Sequence, residues 1–162
     1  MKKIWPIFIV LATAVVIAGA VFWFRPRPLI PPEINNQFTS VILVAKNPQV
    51  KNNPDTVKYD NKLKLLSYHT TAYGVDTIIS EQPTPESFID IPQVYQKVLE
   101  SWKQYKSFDT TLGTVYLTRP GDQNGKVVGV LNSKGTLMFV KPEKDLTDDQ
   151  WRLFFKSLQT QD

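Results

Sequence analysis

The chain has 162 residues, a formal charge of +4, one histidine and no cysteine. Without cysteine there is no disulfide, no thiolate zinc site and no cysteine nucleophile. Lys2, Lys3, Arg25 and Arg27 all precede the first acid, Glu33, leaving 15 basic against 15 acidic residues from Pro28 onward. Balanced, interspersed charge lacks the electrostatic footprint of a phosphate-backbone binder, so no nucleic-acid partner is expected.

Residues 1–3 form a short basic head, and Ile4 to Phe24 follow as 21 consecutive residues without a charge. At about 1.5 Å per residue, a helix of that length spans the roughly 30 Å hydrocarbon core of a bilayer. Trp5 and Trp23 sit near its ends, where amphipathic rings favour the headgroup level. The run predicts a single-pass signal-anchor helix over 4–24, with the lipid bilayer as a partner. A cleaved signal peptide competes with it, since Ala18-Gly19-Ala20 has the small residues of a cleavage site. Against cleavage, the apolar run exceeds the usual h-region and continues through Val21-Phe22-Trp23-Phe24. Flanking charge ties across the span, Lys2 and Lys3 against Arg25 and Arg27. A three-residue head before one span predicts a cytoplasmic N-terminus and an extracytoplasmic C-terminal domain.

Pro26, Pro28, Pro31 and Pro32 place a stiff, polyproline-like linker over 25–37. Residues 38–162 then fit one domain of ordinary size. Phe38 to Ala45 predicts a strand, and Pro48, Asn52, Asn53 and Pro54 predict a polar loop. Leu63 to Thr70 and Val75 to Glu81 predict a hairpin around Ala72-Tyr73-Gly74. A helix over Ile91 to Tyr105, capped by Asp90 with Pro92 in its first turn, carries an apolar face of Ile91, Val94, Tyr95, Val98, Leu99, Trp102 and Tyr105. Strands follow at Leu112 to Thr118, Lys126 to Leu131 and Thr136 to Lys141, the last two joined through Asn132-Ser133-Lys134-Gly135. Thr147-Asp148-Asp149-Gln150 fits a capping box, with Leu146 and Trp151 as a hydrophobic staple for a final helix. The fold class expected is α+β: a mostly antiparallel sheet with both amphipathic helices on one face, preceded by the membrane helix.

No residue set announces chemistry. His69 shares a strand face with Ser67, but no nucleophile elbow accompanies them, and an ordinary strand-surface histidine explains it better. None of the eight serines is followed three residues later by lysine, so an S-x-x-K nucleophile is absent. Asp122-Gln123-Asn124-Gly125 lacks the earlier carboxylate and closing glutamate of a calcium loop, and predicts a turn instead. Asp145, Asp148 and Asp149 gather at a helix start, where carboxylates complement the dipole. No metal site and no cofactor are expected. Most aromatics fall at core-facing positions, leaving Tyr68, Tyr73 and Tyr116 as candidate exposed contacts.

Ile78-Ile79-Ser80-Glu81-Gln82-Pro83, Leu112-Gly113-Thr114-Val115-Tyr116, Gly135-Thr136-Leu137-Met138-Phe139-Val140 and the helix from Trp151 to Leu158 carry a likeness. Together with the anchor-and-linker layout, they resemble bacterial extracytoplasmic domains of unknown function, some found in anti-sigma-factor-like proteins and some in lipoproteins. The resemblance implies a non-catalytic surface domain. A cytoplasmic sigma-binding region is missing, since only Met1, Lys2 and Lys3 precede the apolar run. The function expected is a membrane-anchored extracytoplasmic interaction domain with a protein partner in the cell envelope. A small cell-envelope hydrolase using acidic residues or His69, and an accessory subunit of a membrane complex, are the alternatives.

Overall fold

A computed structural model describes residues 28–121 and 125–161. Its elements in chain order are α1 (Pro32–Asn35), β1 (Leu43–Ala45), β2 (Val50–Asp60), β3 (Leu65–Ala72), β4 (Val75–Pro83), α2 (Glu86–Asp90), α3 (Pro92–Ser101), β5 (Lys106–Thr110), β6 (Gly113–Thr118), β7 (Val128–Ser133), β8 (Thr136–Pro142), α4 (Asp148–Lys156) and β9 (Leu158–Thr160). Seven strands form one antiparallel sheet in the order β2-β3-β4-β8-β7-β6-β5, while β1 pairs with β9 alone. Two meanders, β2 to β4 and β5 to β8, therefore meet where β4 pairs with β8.

Local chemistry explains the tight turns. Tyr73-Gly74 closes β3 onto β4 and Lys134-Gly135 closes β7 onto β8, each with positive φ at both residues. That geometry matches the twist of the flanking strands, and the second position is where glycine is favoured. At the head of α4, the Thr147 side chain accepts from the Gln150 N–H, and the Gln150 side chain accepts from the Thr147 N–H. The capping box and the closing helix stand as the sequence predicts.

The fold is α+β, but the expected placement of its helices is corrected. Trp151, Phe154 and Phe155 of α4 pack with Leu66, Tyr68, Ile79, Val115, Leu117, Leu131, Met138 and Val140. Leu99 of α3 packs instead with Val128, Val130 and Leu137, beside Phe88, Tyr95, Trp102, Tyr116 and Phe139. Neighbours along β7 and β8 thus point to different helices. Since successive strand residues face opposite sides, α3 and α4 lie on opposite faces of the sheet. A sheet sealed on one side only would leave Val128, Val130 and Leu137 in water.

The expected membrane-spanning helix is likewise corrected as a fold element. Among the described residues no helix is long and apolar enough to cross a membrane. The run 4–24 that predicted it lies outside the described residues.

Several segments differ from expectation. Part of the predicted linker packs on the domain: Pro32–Asn35 is a helical turn, Ile30 is buried in the main core, and the Gln161 side chain donates to the Ile30 carbonyl. The predicted polar loop at 48–54 is largely β2, an edge strand whose register breaks between Asn53 and Lys58. Pro54 falls inside that irregularity, where a missing N–H costs no ladder bond. Asp90 ends α2 rather than capping α3, whose N-cap is Ile91 without a side-chain bond. The helix stops at Ser101 because Trp102 leaves helical geometry and Lys103 takes φ of 54°.

Candidate functional site

One face of the seven-stranded sheet is covered along its whole width. Helix α4 lies over the β5–β8 half, and β1, β9 and the segment from Ile30 to Val44 cover the rest. The opposite face is covered only where α2 and α3 lie on β6, β7 and β8. Across β2, β3 and β4 no element among the described residues covers that face.

Register assigns its residues. Directly across the strands run Asn53, His69, Ile78 and Lys141, and beside them Lys58, Ser67 and Ser80. Along β3, Leu66, Tyr68, Thr70 and Ala72 are buried, while Ser67, His69 and Thr71 face outward. Ile78 stands in the middle, 38% exposed. A depression of about 480 Å³ on one side of it is lined by Asp55, Thr56, Lys58, Ser67 and His69 as well. On its other side, Ile78 borders a second depression of about 230 Å³ with Asp76, Lys126, Lys141 and Glu143. A third, of about 620 Å³, continues from Lys58 and Ser67 over the β2–β3 turn. Sharing Ile78 on one side and Lys58 with Ser67 on the other, the three adjoin as a shallow trough with a single isoleucine at its centre and charges of both signs around it.

The trough's chemistry is that of contact. His69 Nδ1 lies 3.4 Å from Asp76 Oδ1, with both side chains about half exposed. Water screens a pair of that kind, so it positions the ring more than it stabilises the fold. The His69 backbone N–H donates to the Thr56 hydroxyl at 2.9 Å, which fastens the irregular segment of β2 over the sheet. The Thr56 hydroxyl in turn donates to the Asn53 carbonyl, and the Asp55 N–H donates to the Asn53 side chain. Ser67 and His69 share the face as their spacing predicts, yet no hydrogen bond joins them. Compared with known proteins, the chain matches no family model, no curated relative and no solved structure.

The other residues singled out from sequence scatter. Of the three tyrosines expected to be exposed, Tyr68 is 1% exposed, because it shares the inward parity of Leu66 and Thr70. Tyr116 lies under α3, edge-on to Tyr95 with ring centres 6.0 Å apart. Tyr73 is half-buried at the β3–β4 turn, its hydroxyl accepting from Asn47. Asp148 and Asp149 occupy the first turn of α4, where they complement the dipole. Asp145 has a different role: it accepts from Arg119 at 3.2 Å and from the Val127 N–H. Asp122 to Asn124 lie outside the described residues. Among the described residues, no group of three or more histidine and carboxylate side chains could hold a metal ion.

Glu81 escaped the sequence reading and is the most unusual residue of the domain. It is 0% exposed, the one charged-type residue among the buried positions of the described residues, whose other polar members are Ser and Thr. Its Oε2 accepts from the Leu43 N–H at 2.8 Å, and its Oε1 lies 3.4 Å from the Tyr68 hydroxyl. Burial pushes its carboxyl up to about 8, although the bonds from Leu43 and Tyr68 pull the other way. Burial, followed by the nearby Glu81, also raises Tyr68 well above the ordinary phenol. A signal existed: Thr77, Ile79 and Glu81 share one parity of β4, so the alternation that buries Ile79 also buries Glu81.

Proposed function

We propose that the domain is a non-catalytic interaction module that holds a protein partner against the bare β2–β4 half of its sheet. The carrying observation is the asymmetry of cover. Among the described residues, one face of the sheet is sealed and half of the other is open, and that open half presents Ile78 within a charged trough, ready to receive a partner's side chain. An apolar centre with a polar rim is the anatomy of a protein–protein contact. The mixed rim of Lys58, Lys126, Lys141, Asp55, Asp76 and Glu143 suits another protein better than a polyanion.

The address proposed is outside the cytoplasm, in the cell envelope. It rests on the uncharged run 4–24 behind a basic head, the composition of an export signal that would deliver the following domain outside the cytoplasm. The resemblance to bacterial extracytoplasmic domains agrees with that address and implies no ligand.

Site-specific photo-crosslinking in intact cells tests the reading. A crosslinker at Ile78 is expected to give a discrete adduct, while one at Leu153, exposed on α4 across the sheet, gives none. Adducts from both positions or from neither would count against the trough. Turnover of an envelope polymer that vanishes in a His69→Ala variant would replace the proposal with a hydrolase.

A further inference from the structure

The hydrogen bonds around Glu81 close into a ring when the carboxyl carries a proton. The Leu43 N–H donates to Oε2 at 2.8 Å, the Tyr68 hydroxyl lies 3.2 Å from the Leu43 carbonyl, and Glu81 Oε1 lies 3.4 Å from that same hydroxyl. With Oε1 protonated, Glu81 donates to Tyr68, Tyr68 donates to the Leu43 carbonyl, and Leu43 donates back to Glu81. Each group then gives one bond and receives one. Without the proton, the single Tyr68 hydrogen must serve either the Leu43 carbonyl or Glu81 Oε1, and the other of these two oxygens is left buried without a donor.

Among the described residues no countercharge offers an alternative. Glu81 faces Leu66 on β3 and Met138 on β8, and β1 presents the Leu43 backbone. Tyr68 is the one titratable group that bears on it among the described residues.

The ring also joins two sheets. Leu43 belongs to β1, whose strand pairing is entirely with β9; Tyr68 and Glu81 belong to the seven-stranded sheet. We infer that Glu81 is a proton-operated latch: its neutral acid fastens the β1–β9 clasp to the large sheet, and loss of the proton loosens the clasp. Direction follows from linkage. Burial raises this acid to about 8 from 4.5, so the closed clasp holds its proton over a range where the opened one has lost it. Opening therefore becomes about tenfold more favourable per pH unit across that window and levels off above it. A domain working outside the cytoplasm meets the pH of its surroundings directly. The latch itself is independent of what occupies the trough.

Hydrogen exchange read by mass spectrometry, corrected for the intrinsic pH dependence of exchange, tests this on the whole domain. In the wild type, opening of the segments 42–46 and 157–161 should grow about tenfold per pH unit from about pH 5 to about pH 8, then plateau. Glu81→Gln preserves the ring, its amide donating to Tyr68 and its carbonyl accepting from Leu43, so its opening should stay flat. A flat wild type, or a Gln variant that rises in parallel, overturns the inference. An infrared carbonyl band of an un-ionised carboxylic acid in the wild type at about pH 7, lost on alkalinisation, supports it without any variant; absence of the band overturns it.

Discussion

Phe155 rests directly on the backbone of Gly129. A methyl group added at that glycine would lie 2.8 Å from Cε2 of the Phe155 ring and equally close to Trp151 Cζ3. The two rings are stacked, 6.0 Å apart at 20°, so α4 can approach β7 only where the strand has no side chain. Gly129→Ala should destabilise the domain by about 1–3 kcal/mol, the cost of overpacking a filled core. Urea unfolding measures it; a neutral result would show that α4 slides outward freely.

Thr147 supports the same helix from its end. Its side chain satisfies the Gln150 N–H while Gln150 returns the bond to the Thr147 N–H. Thr147→Ala leaves the Gln150 N–H to water, while the bond from the residue-147 N–H to the Gln150 side chain is kept, and should cost about 1 kcal/mol. Thr147→Ser keeps the oxygen and should cost less. Equal midpoints for Ala and Ser in thermal unfolding would mean the box contributes nothing.

What could be read from the sequence was what local chemistry determines. The Thr147 to Gln150 box, the Tyr73-Gly74 and Lys134-Gly135 turns, and the middle of the apolar stripe around Leu99 each need only a few neighbouring residues, and each is present, whereas Ile91 and Tyr105 at the ends of the stripe are about half exposed. The edge strands were hidden because an edge tolerates what a central strand rejects: β2 carries Pro54 and adjacent asparagines, and β5 has Phe108 as its one apolar residue. The side of the sheet taken by each helix is a tertiary property. A clue did exist in Val127 to Leu131, an apolar run interrupted only by glycine, as a strand covered on both faces requires. The trough was unreadable for the complementary reason. His69, Ile78 and Lys141 are drawn together by cross-strand register, and no spacing within one segment encodes that.

Glu81 also predicts how the stability of the whole domain responds to pH. Its folded-state pKa is raised by burial to about 8 from an ordinary 4.5. The contribution is thus full below the unfolded value and is lost as pH climbs through the folded one. Stability should decline by about 1.4 kcal/mol per pH unit within that window from this residue alone. Urea unfolding at several pH values would show it, and the difference between wild type and Glu81→Gln isolates it from every other carboxylate. A difference that does not change with pH would mean that Glu81 is ionised in the folded protein.

Ile78 and His69 separate the two uses to which the trough could be put. They are direct cross-strand partners on the bare face, so a partner seated there contacts both. Ile78→Thr keeps a β-branched residue at a position already 38% exposed and should change stability by no more than about 0.5 kcal/mol. The same change removes the apolar floor shared by two depressions and should weaken partner capture at least tenfold, as loss of a central contact does. His69→Ala, by contrast, breaks only a solvated pair with Asp76 and should weaken capture slightly. A hydrolase would invert that order, with His69→Ala abolishing function and Ile78→Thr sparing it. Measuring both variants against the crosslinked partner, and against envelope-polymer turnover, distinguishes a docking face from a catalytic one by which of two neighbouring residues the function follows.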